Sequence, residues 1–229
     1  GGKGYRQIDI NLGCPFPMIA GKHKGAGMLL YPAQVAEVLA PIAEYPEIQF
    51  SLKMRLGWEN ASECMVLVEL LNALRLSRIA LHARTGKQQY KGHPDLEAFQ
   101  GFYELCQHPL YYNGGIESLS DIRQILIRFP LLKGVFIGRG LLSSPLLAKE
   151  FKGNETFLPE QRMSIYFAFH EELFSAYSQV LQGETQLLVK MKTLWEYFLP
   201  ETDRKLLKRI KKSTRLQQYT ESVKAIFTS

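Results

Sequence analysis

The chain has 229 residues, a formal net charge of +6 and a pI near 9.1. With 46% hydrophobic and 22% charged residues, its composition is ordinary for a globular protein with a substantial core. No apolar run approaches the ~20 residues of a membrane span, and the first residues lack the basic-then-apolar layout of a secretion signal. Three scattered cysteines are too few for a disulfide framework or a zinc site. We therefore expect a cytoplasmic protein that has no metal and does not bind membranes.

Short apolar runs alternate with amphipathic segments through the first two thirds of the chain. The apolar runs predict strands at Tyr5–Leu12, Ile48–Leu56, Arg78–Leu81, Pro109–Tyr112 and Leu132–Ile137. The amphipathic segments predict helices near Pro32–Glu44, Ser62–Leu76, Asp95–Gln107 and Ser118–Arg128. This alternation indicates parallel strands covered by helices, because parallel neighbours need a crossover connection.

Polar and reactive residues stand directly after the predicted strands. They are Asn11, Cys14, Lys53, Arg55, His82, Arg84, Asn113, Gly138 and Arg139. Such residues at consecutive strand ends favour a closed barrel with one central mouth over an open sheet. A (β/α)₈ barrel has eight units of roughly 30 residues each, whereas this chain shows five. We therefore expect about three units, on the order of 90 residues, to precede the sequence.

The pattern becomes helical from about Asn154. Helices are predicted at Pro159–Leu181, Leu187–Phe198 and Leu216–Phe227. We expect two domains: a partial barrel in residues 1–152 and a small helical bundle in residues 153–229. The bundle contains a basic cluster that is either a solvated helix face or a nucleic-acid contact: Arg204, Lys205, Lys208, Arg209, Lys211, Lys212 and Arg215.

Cys14 lies in the turn Asn11-Leu-Gly-Cys14-Pro, where Gly13 and Pro15 would present its thiol to the barrel mouth. An ordinary thiol has a pKa of about 8.5, so it can act as a general acid or as a nucleophile near neutral pH. The loop of residues 16–27 follows and carries Lys22 and Lys24. This loop is either a mobile lid that touches phosphates or an ordinary exposed loop.

Lys53 and Arg55 share one strand face, because side chains alternate along a strand. A cation that points into a barrel needs an anion, which is either a reduced flavin or an interior carboxylate. His82, taken by itself, is better explained as a hydrogen-bonded core histidine than as a ligand. The motifs Asn113-Gly-Gly115 and Gly138-Arg-Gly140 let backbone N–H groups approach an anion, which predicts a phosphate-bearing cofactor.

In order, the motifs N-L-G-C-P, K-M-R-L-G, H-A-R-T with Q-x-Y-x-G, N-G-G and G-R-G resemble the tRNA-dihydrouridine synthase family over about residues 5–150. The resemblance implies a (β/α)₈ TIM barrel followed by a C-terminal helical tRNA-binding domain. It also implies FMN in the barrel mouth, NADPH as reductant, and the reduction of selected uridines in tRNA to dihydrouridine.

The resemblance further implies roles for individual residues. Cys14 would protonate C5 of the uracil, while Lys53 would hold the N1/O2 edge of the flavin. Asn11 would bind the uracil edge. The remaining FMN contacts would come from His82, Asn113, Gly115, Gly138 and Arg139. The candidates for RNA contact are Arg84, Tyr90, Lys22 and Lys24.

Two departures from the family pattern stand out. Gly115 occupies a position at which family members often carry an acidic residue, and the first barrel strands, which supply further flavin contacts, are absent from the sequence. Alternatives are an FMN barrel oxidoreductase acting on a free small molecule, a tRNA-binding protein without catalysis, and a barrel without a ligand. We expect a monomer. The sequence does not determine which uridine is modified.

Overall fold

The computed structural model describes residues 4–228. The chain divides into two compact units. The first contains the residues up to Ile116 together with Ser120–Ile137, and the second contains Glu117–Leu119 and the residues from Gly138 onward. The continuous part of the second unit thus begins at Gly138, whereas the sequence analysis places the domain boundary after residue 152.

The first unit is built on one parallel sheet. Its strands follow chain order: β1 (Gln7–Leu12), β2 (Gln49–Gly57), β3 (Leu76–Thr85), β4 (Leu110–Asn113) and β5 (Gly134–Phe136). All five predicted strands and their parallel arrangement are confirmed. Strand β3 is longer than predicted, so that His82 and Arg84 lie within it. Within residues 4–228, β1 and β5 each pair with one strand, and closure into an eight-stranded barrel stays a prediction.

The strand register brings the predicted site residues to one level of the sheet. Asn11 lies beside Lys53, Arg55 beside His82, and His82 beside Asn113. Because alternate side chains of a strand point to the same face, these five residues project from one side of the sheet. The sequence analysis placed Lys53 and Arg55 on one strand face. The pairing of the strands adds Asn11, His82 and Asn113 to the same face.

Short helices cover the sheet: α1 (Pro17–Ala20), α2 (Pro32–Leu39), α3 (Glu63–Val66), α4 (Val68–Asn72), α5 (Leu96–Leu105) and α6 (Leu119–Arg128). The 3₁₀ turns Gly25–Leu30 and Ala40–Glu44 flank α2. The helix predicted over residues 62–76 is thus two short helices, and Leu76 begins β3. At the start of α5, the Asp95 carboxylate accepts a hydrogen bond of 2.9 Å from the backbone N–H of Ala98, which caps the helix.

The second unit contains helices and no strand among its described residues. Its helices are α7 (Arg139–Ser143), α8 (Leu147–Gly153), α9 (Pro159–Val180), α10 (Gly183–Leu194), α11 (Arg204–Lys212) and α12 (Leu216–Phe227). Helix α12 has the predicted bounds, whereas α10 begins and ends four residues earlier than predicted, and α7 and α8 are additional. Among residues 4–228 no helix is long and apolar enough to cross a membrane, and no His, Cys, Asp or Glu cluster could hold a metal ion.

A buried hydrogen-bond chain joins α9, α12 and the C-terminal end of α10. The Tyr219 hydroxyl accepts from the Trp195 ring N–H at 2.9 Å and lies 2.7 Å from His170 Nε2. The Glu171 carboxylate, 3.1 Å from His170 Nδ1, can only accept, so the proton of the neutral imidazole lies on Nδ1. His170 Nε2 then accepts from the Tyr219 hydroxyl. Burial lowers the pKa of His170, and Glu171 opposes that shift.

Candidate active site and basic helix

The turn after β1 holds Cys14 as a half-buried free thiol. The Asn11 side-chain oxygen accepts a hydrogen bond of 2.9 Å from the backbone N–H of Gly13, which closes the turn. A β carbon on Gly13 would lie 3.4 Å from both Asn11 Oδ1 and Lys53 Nζ. The two polar groups therefore both lie close to Gly13, the residue before Cys14.

The end of the loop of residues 16–27 packs directly on the backbone of Cys14. The backbone N–H of Ala26 donates to the Cys14 carbonyl at 3.0 Å. Gly25 has a φ of +57°, and a β carbon there would lie 2.8 Å from the Cys14 carbonyl oxygen and 2.9 Å from its β carbon. Only glycine fits this position without moving Cys14. Gly25 is thus a positioning residue that the sequence analysis missed.

The loop of residues 16–27 is folded into α1 and the start of a 3₁₀ turn. Gly27 packs so closely that a β carbon on it would lie 2.3 Å from the Ala20 carbonyl oxygen. The side chains of Lys22 and Lys24 are exposed on this loop, as RNA contact requires. Movement of the loop as a lid stays a prediction.

Lys53 is half-buried and forms no ion pair among residues 4–228. Burial lowers its pKa, and the neighbouring charge of Arg55 acts in the same direction, while Asp9 and Cys14 oppose them. The Asp9 carboxylate instead accepts a hydrogen bond of 2.5 Å from the Ser51 hydroxyl. Within the described residues, Lys53 therefore has no carboxylate partner at ion-pair distance.

Arg55 joins the cysteine turn to the loop after β3. It is 1% exposed, and its Nε donates to the Gly13 carbonyl at 3.1 Å. Its Nη1 donates to the carbonyls of Thr85 and Gln89, both at 2.7 Å. The guanidinium also lies 5.5 Å from the centre of the Tyr90 ring. The sequence analysis placed Arg55 on the correct strand face but did not identify this linking role.

His82 and Arg84 form a buried pair on β3. Arg84 Nη1 lies 3.3 Å from His82 Nε2, and because a guanidinium only donates, this nitrogen of His82 carries a lone pair. Arg84 also donates to the Gly92 carbonyl at 2.9 and 3.3 Å. Arg84 is only 4% exposed, so its position does not support the predicted RNA contact. Tyr90, by contrast, is 54% exposed.

The motif Asn113-Gly-Gly115 at the end of β4 has a side chain that bonds the neighbouring strand, followed by two glycines with positive φ. Asn113 Nδ2 donates to the Phe136 carbonyl at 2.8 Å, which ties β4 to β5. Gly114 and Gly115 have φ values of +134° and +61°, so other residues would be strained there. Gly115 is exposed, and it can offer a ligand only its backbone.

Gly138 and Arg139 lie in the second unit, at the start of α7. Gly138 is exposed, and a β carbon there would meet no atom within 4 Å. Their predicted contact with a cofactor phosphate stays a prediction. The residues that the structure does bring together on one face of the first unit are Asn11, Lys53, His82 and Asn113, with Cys14 in the adjoining turn.

The predicted basic cluster lies mainly on α11, where six of nine residues are cations. All six are exposed, and none forms an ion pair with another described residue. The opposite face buries Ile210 and half-buries Leu206 and Leu207. A groove of about 540 Å³ runs between α11 and α12, lined by Lys205, Lys208, Arg209, Lys212, Ser213, Gln218, Glu221 and Ser222.

Comparison with known proteins places this sequence in a family. Residues 2–228 match the sequence model of the dihydrouridine synthase (Dus) family. A probable tRNA-dihydrouridine synthase of Aquifex aeolicus is 36% identical over 149 residues, which are 63% of this chain and 46% of that protein. A probable tRNA-dihydrouridine synthase of Rhizobium leguminosarum is 32% identical over 139 residues, covering 60% of this chain and 44% of the relative.

The tRNA-dihydrouridine synthase B of Vibrio vulnificus is 27% identical over 161 residues, covering 69% of this chain and 50% of the relative. The chain thus spans about half the length of the curated relatives it matches. The family match nevertheless extends over almost every residue of the chain, including the cysteine turn, the sheet face and the basic helix. This chain belongs to the dihydrouridine synthase family.

Proposed function

We propose that the protein is a tRNA-dihydrouridine synthase, which reduces the C5–C6 double bond of selected uridines in tRNA with FMN as cofactor and NADPH as reductant. The observation that carries this proposal is the half-buried thiol of Cys14 next to Asn11 and Lys53, in a chain that matches the family throughout. We further propose a closed (β/α)₈ barrel and a cytoplasmic monomer.

The residues on the sheet face suit a flavin. A half-buried ammonium such as that of Lys53 is costly without an anion, and it has no ion pair among the described residues. The anionic N1/O2 edge of reduced FMN would supply the missing negative charge. The remaining contacts would come from His82, Asn113, Gly115, Gly138 and Arg139. When bound, FMN supplies the hydride that adds to C6 of the uracil.

Cys14 supplies the proton that adds to C5, so that hydride and proton together saturate the double bond. The thiolate left on Cys14 is close enough to Lys53 for the two charges to interact. Lys53 therefore stabilises the charge that develops on sulfur, and the thiol is restored by a proton from solvent. This role for Lys53 adds to its contact with the cofactor.

Asn11 orients the uracil. Its side-chain oxygen is engaged by the backbone of Gly13, so its amide NH₂ is the group left to bond the base. The amide nitrogen forms no hydrogen bond within residues 4–228. An amide N–H pairs with a uracil carbonyl oxygen, which fixes the ring relative to the thiol.

The RNA is held by exposed cations and by Tyr90. A uridine in folded tRNA must leave its stack to reach the thiol, and backbone contacts hold the RNA meanwhile. Lys22 and Lys24 lie on the loop next to Cys14. The groove between α11 and α12 presents lysines and arginines that form no ion pair within residues 4–228. Binding should therefore weaken steeply with salt.

The first experiment uses the protein expressed from its complete reading frame. Its visible spectrum is recorded, and NADPH with unmodified tRNA is assayed for dihydrouridine. Cys14→Ala should abolish the product while the flavin spectrum is kept, whereas Cys106→Ala, at another half-buried free cysteine, should remain active. Flavin without activity on tRNA would favour an oxidoreductase of small molecules. A protein without flavin that binds tRNA would favour a non-catalytic RNA-binding protein.

A second experiment tests the basic helix. The double substitution Lys208→Glu with Arg209→Glu should raise KM for tRNA and flatten its dependence on salt. The control is Lys133→Glu, an exposed lysine just before β5 and thus at the opposite end of the strands from the thiol. Equal KM values for the double variant and the control would contradict the RNA-binding role of α11.

A further inference from the structure

Three large apolar side chains stand exposed directly beyond the proposed acid; Ile19 is 40% exposed, and the other two are more exposed. Phe16 is 62% exposed and Met18 is 74% exposed. Phe16 is two residues from Cys14, so their Cα atoms are at most about 7.6 Å apart. Exposed apolar residues are unremarkable when they are scattered, but three that adjoin a site mark a contact surface.

The turn that carries these side chains is held by its backbone. The N–H groups of Ile19 and Ala20 both donate to the Phe16 carbonyl at 2.9 Å, and Gly21 N–H donates to the Pro17 carbonyl at 2.8 Å. Ala20 is buried beneath Gly27. The hydrogen bonds and the buried Ala20 fix the turn with Phe16 and Met18 on its outer side.

The charges of the same loop indicate the kind of partner. Lys22 and Lys24 follow within eight residues of Phe16, and both are exposed without an ion pair in the described part of the chain. An aromatic ring, a flexible thioether and flanking cations are the groups that bind unstacked bases and the phosphates next to them. Because the substrate of the proposed function is an RNA, one partner accounts for both the exposed apolar side chains and the lysines.

We propose that Phe16 and Met18 form a wedge that contacts the nucleobases on either side of the uridine being reduced. This inference rests on the proposed function. When the target base leaves its stack, its neighbours lose a stacking partner. Phe16 replaces that partner by stacking on one flanking base, and Met18 packs against the bases exposed beside it. The wedge thus favours the extruded state of the uridine within reach of Cys14.

The test compares Phe16→Ala and Met18→Ala with the control Ile127→Ala, which removes an apolar side chain that is 79% exposed on α6. The rate of dihydrouridine formation is measured against the concentration of folded tRNA. Phe16→Ala should lower kcat/KM roughly tenfold, the effect expected for one lost base–aromatic stack. A short single-stranded RNA, which needs less unstacking, should show a smaller loss. Phe16→Trp should restore activity.

A second readout does not depend on turnover. When 2-aminopurine replaces the base beside the target uridine, its fluorescence in the complex should be higher with Phe16→Ala than with the unaltered protein, because stacking on Phe16 quenches it. Equal fluorescence in the two complexes, or equal kcat/KM for Phe16→Ala and Ile127→Ala, would overturn the wedge and leave the proposed function intact. A lowered melting temperature or lost flavin in Phe16→Ala would also overturn it, because Phe16 would then be a packing residue. If the unaltered protein makes no dihydrouridine, the proposed function itself fails.

Discussion

Replacing Arg55 by lysine tests how the cysteine turn is held. The guanidinium donates to three carbonyls, those of Gly13, Thr85 and Gln89. Lysine keeps the charge but is a compact donor on a flexible stem, so it can retain about one of these bonds. Gln89 is exposed, and water can replace the bond to its carbonyl at little cost. One buried carbonyl is then left without a donor.

The expected loss follows from that one carbonyl. A buried acceptor without a donor costs about 1–3 kcal/mol, so we expect about 2 kcal/mol, or roughly a 30-fold change in the folding equilibrium. Arg55 also fixes Gly13, which precedes the proposed acid. Since a displacement of about 1 Å in a reacting group costs about 100-fold in rate, the chemical step should slow far more than stability alone would suggest.

Urea unfolding followed by circular dichroism measures the first quantity, and single-turnover formation of dihydrouridine measures the second. The matched control is Arg75→Lys, at an exposed arginine whose side chain bonds no other described residue. A variant of Arg55 as stable and as fast as this control would refute the reasoning. Lost stability with an unchanged rate would show that Arg55 supports the fold without positioning Cys14.

Three further predictions concern a glycine and the buried chain in the bundle. Gly25→Ala should slow dihydrouridine formation at least tenfold and destabilise the protein by about 1–2 kcal/mol, because its β carbon collides with Cys14 and its φ of +57° is left-handed. Tyr219→Phe should cost about 2–6 kcal/mol in urea unfolding, since it leaves Trp195 Nε1 and His170 Nε2 unpaired in the core. His170 titrates at lower pH folded than unfolded, so the unfolded state binds more protons between the two pKa values. Stability should therefore be constant above pH of about 6.5 and fall below it, by at most about 1.4 kcal/mol per pH unit, and His170→Gln should remove this component.

Each of these predictions has a matched comparison. Gly183→Ala, at a φ of +81° with no atom within 4 Å, carries the backbone strain without the collision, so an equal loss of rate there would contradict the account of Gly25. Tyr177→Phe removes a hydroxyl that makes no hydrogen bond in the described structure and should change stability by less than about 0.5 kcal/mol. If Tyr219→Phe changes stability as little as Tyr177→Phe does, the buried hydrogen-bond chain does not stabilise the bundle. The same holds if His170→Gln leaves the loss of stability below pH of about 6.5 unchanged.

The parallel sheet could be predicted because its signals are local. Each strand is an apolar run, and the connecting segments are amphipathic. Polar residues stand at or just after the end of each run. Arg84 shows where such reasoning ends. Its position after an apolar run predicted a residue at the rim, but the strand continues through it to Thr85. The Arg84 guanidinium is buried and donates to the carbonyl of Gly92, eight residues further along the chain.

The sequence by itself determined the order of the strands along the chain, the thiol after β1 and the cations of α11. These features depend only on residue type and on short spacings. Tertiary structure alone decided what those groups meet. Arg55 bonds carbonyls that lie 30 and more residues away along the chain, Gly25 packs on Cys14 after a loop, and Lys53 has no carboxylate partner among the described residues. Every residue has a backbone carbonyl, and the space around a Cα depends on what packs against it. Neither property can be inferred from the residue type. Only the folded path of the backbone brings these groups together.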